Sequence, residues 1–527
     1  MSSYYKRTAV CFVLILLLMA LCGARVFVIA SDGQLKLAAT NQSTRRVSVG
    51  ISRGTIYDCN KVPLTEVNKS GVTVVLPSEQ GALALPTFYS GDELDNALQK
   101  LNGGSPIVID KNLGLELRGT AEIDVPKRYS GSLCHIIGYV DSSGHGVSGI
   151  EKGMDEYLYS PTDYSVLYST DSLGRMIAGA GYSVDSGNVT GSVTLTIDSR
   201  IQAIAEQAMS DIEAGAAVVL DAKNGKLRAV VSRPDFDPYN VAVSLNSETS
   251  PLINRALCPY NVGSVFKPCL SAAALESNQG NYTHNCTGSL TTSGLTFRCN
   301  RLAGHGELSL KGATAVSCNT YFYTLGLQLG ADIVHSTAKL FRLGQPLSLG
   351  GGIVSAAGTL PDKEILNQQP AALINLSIGQ GDLLLSPVAL STLYAAIVND
   401  GEYYLPSIIE GFEKNGVYES YPASLPTKAI EKSTANTIKE HLIATLQSGT
   451  GSAAYLEGIT AGGKTGTAQT GWKDGDRSIL NGWFCGFYEG KNTDYVIVVL
   501  KEDVKSGSAD CAPVFKEITT KLSNLGE

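Results

Sequence analysis

Histidine and tryptophan are scarce, and paired-cysteine motifs are missing altogether. The 527 residues hold six histidines and two tryptophans, and the eleven cysteines include no Cys-x-x-Cys pair. The histidines do not cluster with the cysteines along the chain, so no metal centre is expected. Eleven is also an odd number, which argues against a fully paired disulfide framework. Long basic runs are absent, and 49 acidic residues outweigh 41 basic ones for a net charge of -8. Nucleic acid is therefore not an expected partner. Charged residues make up only 17% and apolar ones 43%, the balance of a folded chain with a large core. At this length two or three domains are expected.

What is there begins with one long apolar run. Lys6 and Arg7 precede Thr8 to Ala30, which is long enough to cross a bilayer as a single helix, with Arg25 near its outer end. The basic flank puts the N-terminus in the cytoplasm and the remainder outside. The rival reading is a cleaved leader, with Val28-Ile29-Ala30 as the cleavage site. No second spanning segment follows; Val496 to Leu500 reads as a short buried strand.

Residues 33–190 carry short apolar runs among glycines and serines. Val47 to Ile51 and Val72 to Leu76 read as strands, and Asp92 to Leu101 as a helix with Leu94, Ala97, Leu98 and Leu101 on one side. His135 and His145 stand alone, and satisfied polar roles are expected for both. From residue 191 on, a strand ends at Asp198 as a helix N-cap, and Ile201 to Ile212 repeat at helical spacing. Ala216 to Asp221 and Lys226 to Val231 flank Asn224-Gly225 as a hairpin. Gly482 to Tyr488 and Tyr495 to Lys501 read as strands, and Ala512 to Leu522 as a closing helix with Pro513 in its first turn. One antiparallel sheet built from both ends of this region, with a helical lobe between them, is predicted.

Between those ends lies Gly263-Ser264-Val265-Phe266-Lys267-Pro268. A helix starting near Ser264 sets Lys267 on the same face, an amine beside a hydroxyl. A serine is a weak nucleophile until a base takes its proton, and a lysine serves when burial lowers its pKa. Helix N-terminal N–H groups would favour a developing oxyanion. Alone the signal is weak, since Ser-x-x-Lys recurs at Ser3–Lys6 and Ser336–Lys339. Two companions follow in order: Ser317-Cys318-Asn319 and Lys464-Thr465-Gly466-Thr467. A second hydroxyl can relay a proton, an asparagine can hold a peptide carbonyl, and a lysine with hydroxyls on a strand edge can bind a carboxylate. Gly466 lets a substrate lie close to the backbone.

With this ordered trio the chain resembles a class B penicillin-binding protein, a monofunctional peptidoglycan D,D-transpeptidase. Arg53-Gly54-Thr55-Ile56-Tyr57-Asp58, Ser148 to Asp155, Leu195 to Asp198 with Gln202, Asn254-Arg255-Ala256, Ser377 to Gly381 and Ala461 to Thr467 extend the likeness over nearly everything after residue 45. Cys59-Asn60-Lys61 and Val262 depart from the family pattern without removing a catalytic group. The resemblance implies an α+β chain: anchor at 1–32, elongated non-catalytic pedestal at 33–190, and at 191–527 a transpeptidase domain with a central antiparallel sheet and a helical lobe, like serine β-lactamases. No glycosyltransferase domain fits before residue 190.

The resemblance also implies roles. Ser264 attacks the penultimate D-Ala of a D-Ala-D-Ala stem peptide, and Lys267 takes its proton. Ser317, supported by Lys464, protonates the leaving D-Ala, and Asn319 orients the donor stem. Thr465 and Thr467 hold the terminal carboxylate, and the N–H groups of Ser264 and Thr467 form the oxyanion hole. A neighbouring stem amine completes the crosslink, D,D-carboxypeptidase action is the side reaction, and β-lactams acylate Ser264. No cofactor is implied. A polytopic membrane glycosyltransferase and other wall-synthesis proteins are the implied partners.

Other readings on the same fold are a β-lactam sensor, a β-lactamase and an idle scaffold. Glu364-Ile365-Leu366-Asn367 only loosely approximates a deacylating glutamate motif. For Cys318, with Cys299 and Cys286 just upstream, two readings stand: free thiols, or a redox switch in which a disulfide from Cys318 to Cys299 or Cys286 distorts the catalytic loop. A Cys286–Cys299 pair would instead be structural.

Overall fold

The computed structural model describes residues 2–34, 42–111, 114, 117–189, 191–292 and 294–525. Helix α1 (Ser2–Ser31) contains the apolar run, and one helix, Tyr4–Ser31, is long and apolar enough to cross a membrane. The chain divides into two compact units. The smaller holds Met1–Ser52, Val67–Arg128 and Ser160–Asn188; the larger holds Arg53–Glu66, Tyr129–Tyr159 and Val189–Glu527.

In the smaller unit, strands Thr44–Gly50, Tyr164–Ser169 and Tyr182–Asp185 form one antiparallel sheet. Val72, Val74, Ala121, Ile123, Val125 and Val166 make its main apolar cluster. Helix Gly91–Asn102 buries Ala97 and Leu101, with Leu94 and Leu98 packed beside them, as the helical spacing predicts.

The larger unit is built on the predicted sheet. Strands β1 (Gly215–Asp221), β2 (Leu227–Arg233), β3 (Ala461–Asp474), β4 (Arg477–Glu489) and β5 (Asp494–Lys501) lie in the order β2-β1-β5-β4-β3. Every β1 residue is buried because both faces are covered. Side chains alternate across a strand. Ala216, Val218 and Leu220 therefore enter one core with Val496, Val498 and Leu500, while Ala217 and Val219 enter another with Ile497 and Val499. Helix Ser199–Ala208 and helix α6 (Ala512–Asn524) supply Ile201, Ala205, Phe515 and Ile518 to the second core. The first core holds helices α2 (Lys267–Glu276) and α4 (Pro387–Val398), and all residues of α4 are buried, the hydroxyls of Ser391 and Thr392 being returned to the helix carbonyls of Val388 and Ala389.

Two of the segments quoted for the resemblance clasp each other within this unit. Buried Arg53 donates from Nε to Glu151 Oε2 (2.5 Å) and from NH2 to Asp155 Oδ1 (2.6 Å), and also to the carbonyls of Gly144 and Glu151. Asp58 Oδ2 accepts from the backbone and hydroxyl of Ser199, tying the first segment to the start of the next helix. The two lone histidines are satisfied as expected: His135 Nε2 pairs with Pro251 O (2.7 Å) and His145 Nδ1 with Asp155 Oδ2 (3.1 Å).

Candidate active site

The Ser264 turn sits where α2 meets the edge strand of the sheet. Sequence spacing starts a helix near Ser264; the structure instead makes a 3-10 turn over Gly263–Phe266 and starts α2 at Lys267. Pro268 explains the shift. It has no N–H with which to close an α-helical bond to Ser264 O, so Lys267 N makes the tighter 3-10 bond there instead. Because i and i+3 eclipse in a 3-10 turn, Ser264 and Lys267 keep a common side. Gly263 has φ +62°, and a Cβ there would come within 2.9 Å of Thr467 O, so a side chain is excluded at this position. Gly263 N donates to Gly379 O (2.8 Å) and Tyr394 OH donates to Val265 O (3.0 Å), pinning the turn from two directions.

Lys267 is fully buried. Its Nζ donates to Ser317 O (3.0 Å), to Ser317 Oγ (3.2 Å) and to Asn319 Oδ1 (2.8 Å), with the Phe322 ring 5.2 Å away. Among the described residues it has no carboxylate partner and no hydrogen bond to Ser264 Oγ. Burial pushes its pKa down to about 7, so the amine is available as a base near neutral pH. Ser317 holds a left-handed φ of +55°, costly for a residue with a Cβ, directly before the N-terminus of helix α3 (Asn319–Leu340).

The third motif lies on β3, the edge strand. Lys464 is fully buried and donates to Thr465 O (3.2 Å) and Thr450 Oγ1 (3.4 Å). Burial first, and the Lys267 charge second, hold its pKa well below the usual lysine range. Thr465 Oγ1 bonds Thr450 Oγ1 (3.1 Å), and Thr467 Oγ1 accepts from Gly507 N (3.1 Å). Gly466 passes so close to the serine turn that a Cβ would meet Val262 O at 2.8 Å. Two buried amines, hydroxyls on an edge strand and a half-buried serine on a helix-leading turn form one constellation. Such an arrangement can supply a nucleophile, a base and an anion-binding strand.

Thr450 was not singled out from sequence. It follows helix α5 (Lys432–Ser448) in Gly449-Thr450-Gly451, and the glycine-rich break before β3 was its only signal. Gln380, within the quoted Ser377 to Gly381 stretch, donates from Nε2 to Thr467 O (3.4 Å). Ser336, by contrast, is solvent-exposed on α3.

Cys286, Cys299 and Cys318, set together in the sequence reading, also meet in space, and His305 joins them. All eleven are free thiols. Cys299 Sγ and Cys318 Sγ lie 3.8 Å apart, and His305 Nδ1 lies 3.5 Å from Cys286 Sγ and 3.6 Å from Cys299 Sγ. The expectation that no histidine clusters with cysteines fails in space. Cys286, Cys299, His305 and Cys318 bring their ligand atoms within 4.8 Å of one another. Strand pairing makes the group: Cys286 faces Gly306, next to His305, across a two-stranded ladder.

The chain matches the family model of the penicillin binding protein transpeptidase domain over residues 215–520. Stage V sporulation protein D of Bacillus subtilis is 29% identical over 94% of this chain and 81% of its own length. The penicillin-binding protein PbpB of Mycolicibacterium smegmatis is 30% identical over 77% of this chain and 65% of its own. The solved D,D-transpeptidase domain of a peptidoglycan glycosyltransferase from Eggerthella lenta shares the fold, with a TM-score of 0.66 at 24% identity over 90% of this chain and 99% of that one. The chain belongs to the penicillin-binding protein transpeptidase family, as a class B penicillin-binding protein.

Proposed function

We propose that this protein is a peptidoglycan D,D-transpeptidase that crosslinks stem peptides through an acyl-enzyme on Ser264, and that β-lactams acylate the same serine. The observation that carries the reading is Lys267: buried, held by both Ser317 and Asn319, and one turn from Ser264. Neutral Lys267 takes the Ser264 proton as Oγ attacks the penultimate D-Ala carbonyl. The oxyanion is met by the N–H groups of Ser264 and Thr467. Ser317, backed by Lys464, returns the proton to the departing D-Ala amine. Lys464, Thr465 and Thr467, with Thr450 behind them, hold the terminal carboxylate, and Asn319 orients the donor stem. An amine of a second stem then attacks the acyl-enzyme, releasing Ser264 and forming the crosslink.

Helix α1 is the proposed single-pass anchor, with the N-terminus in the cytoplasm and the catalytic domain outside, as the Lys6–Arg7 flank favours. Residues 33–190 serve as the pedestal of a transpeptidase domain at 191–527, and a polytopic membrane glycosyltransferase is the proposed partner. Labelling with a fluorescent penicillin tests the reaction. The wild type is expected to take a covalent label that persists for hours. Rapid loss of label would assign a β-lactamase instead.

A further inference from the structure

The stretch between α2 and the Ser317 motif has almost nothing apolar to hold it. Among the described residues of 284–308, those buried are Cys286, Gly288, Cys299 and Gly304. Glycine offers no side chain, so two cysteines are the interior of this excursion. Its secondary structure is two short ladders, His284–Cys286 against Gly306–Leu308 and Ser289–Thr292 against Leu295–Arg298. So small a piece rarely folds on its own core and is usually stapled by a disulfide or a metal.

The distances choose between those staples. A disulfide needs its sulfurs at about 2.05 Å. It would also leave a third thiol and a histidine pointing at the same spot for no reason. A tetrahedral zinc ion bound at about 2.3 Å to sulfur and about 2.05 Å to nitrogen requires neighbouring sulfurs about 3.8 Å apart, and sulfur about 3.5 Å from nitrogen. Three of the six edges here are 3.8 Å for Cys299–Cys318, 3.5 Å for Cys286–His305 and 3.6 Å for Cys299–His305, and the other three lie within 4.8 Å. An outer contact suits a thiolate too. Thr320 Oγ1 lies 3.4 Å from Cys318 Sγ.

We propose that Cys286, Cys299, His305 through Nδ1, and Cys318 bind a structural zinc ion that braces the Ser317–Asn319 loop. Three thiolates and one imidazole form a closed tetrahedral set with no position left for water or substrate, so the ion is structural and not a catalyst. Soft sulfur donors disfavour calcium and magnesium. Cys318 is the middle residue of the motif whose neighbours hold Lys267, so the metal fixes the residue between them. It also offers a means of keeping Ser317 at its strained φ of +55°. That bracing role rests on the transpeptidase reading; the metal site does not.

The test uses the full chain in detergent. Elemental analysis by mass spectrometry is expected to find about one zinc ion per chain. Cys286→Ser and His305→Ala, which lie outside the three motifs, should lose it, and Cys258→Ser should keep it. Should those variants fail to fold, the wild type still decides. Cobalt exchanged for zinc should give the visible bands of a tetrahedral thiolate site, and stripping zinc with a chelator should lower the penicillin acylation rate until zinc is restored. A wild type without zinc or cobalt bands, a Cys299–Cys318 disulfide in the unreduced chain, or full zinc in the folded Cys286→Ser and His305→Ala variants would overturn the site. Acylation unchanged by zinc removal would overturn the bracing. A zinc-loaded wild type that takes no penicillin would overturn the transpeptidase reading and leave the metal site standing.

Discussion

Ser264–Lys267 and Ser336–Lys339 share the same spacing on helical turns of the same compact unit, yet they are chemically opposite. Lys267 is fully buried, and its Nζ is held by Ser317 and Asn319. Ser336 and Lys339 both face solvent on α3. Burial without a carboxylate partner lowers the Lys267 pKa to about 7, so a large share of it is the free amine at neutral pH. A spacing motif therefore becomes a catalytic one only when the fold removes its lysine from water and supplies acceptors that orient it. The same contrast separates ion pairs: Arg53 and Glu151 are wholly buried, while Arg477 and Asp503 are about half exposed.

The largest expected difference between the two turns is in crosslinking chemistry. Ser264→Ala should abolish D-Ala release from a D-Ala-D-Ala peptide, and Ser336→Ala should leave it at the wild-type rate; equal loss in both would erase the distinction. Lys267→Ala should slow penicillin acylation by about 10²–10⁴-fold, the usual contribution of a positioned base, in a stopped-flow assay. On the stability side, Glu151→Ala should cost up to about 3–5 kcal/mol in denaturant melts because it removes the fully buried carboxylate from Arg53 and leaves only the partly exposed Asp155 to balance the guanidinium, whereas Asp503→Ala should cost less than about 1 kcal/mol.

Acylation should also depend on pH with a defined sign. The folded Lys267 pKa is lowered to about 7, so the base form is lost as pH falls, and the rate should drop about tenfold per unit below that value. The folded lysine binds fewer protons than the unfolded one between about 7 and its ordinary 10.5, so its burial makes stability rise with pH across that window. A flat rate between pH 5 and 8 would remove Lys267 as the base. The smallest effect belongs to Lys339→Ala, for which rate and melting point should stay within error.

Much of this site was legible because each motif is local and the fold needs its pattern. The continuous apolar, valine-rich runs of Ala216 to Asp221, beside the Asn224-Gly225 turn, and of Tyr495 to Lys501 announced strands, and the ordered trio named Ser264, Lys267, Ser317, Asn319 and Lys464. The details that escaped are non-local. Thr450 acts through a hydroxyl whose partners lie fourteen and fifteen positions away in sequence. The grip of Arg53 on Glu151 spans 98 positions. Cys286, Cys299 and Cys318 were grouped from sequence, but His305 joins them only through strand pairing across the ladder to Cys286. The 3-10 start at Ser264 escaped because the serine-to-lysine spacing that starts a helix at the serine takes no account of the missing N–H of Pro268.

Peptide mapping of the penicillin adduct by mass spectrometry tests the central claim most directly. The full chain, incubated with benzylpenicillin and digested, should carry one penicilloyl group on the peptide containing Ser264, with fragment ions assigning it to that residue. An adduct on Ser317, Ser336 or any cysteine, with Ser264 unmodified, would contradict it.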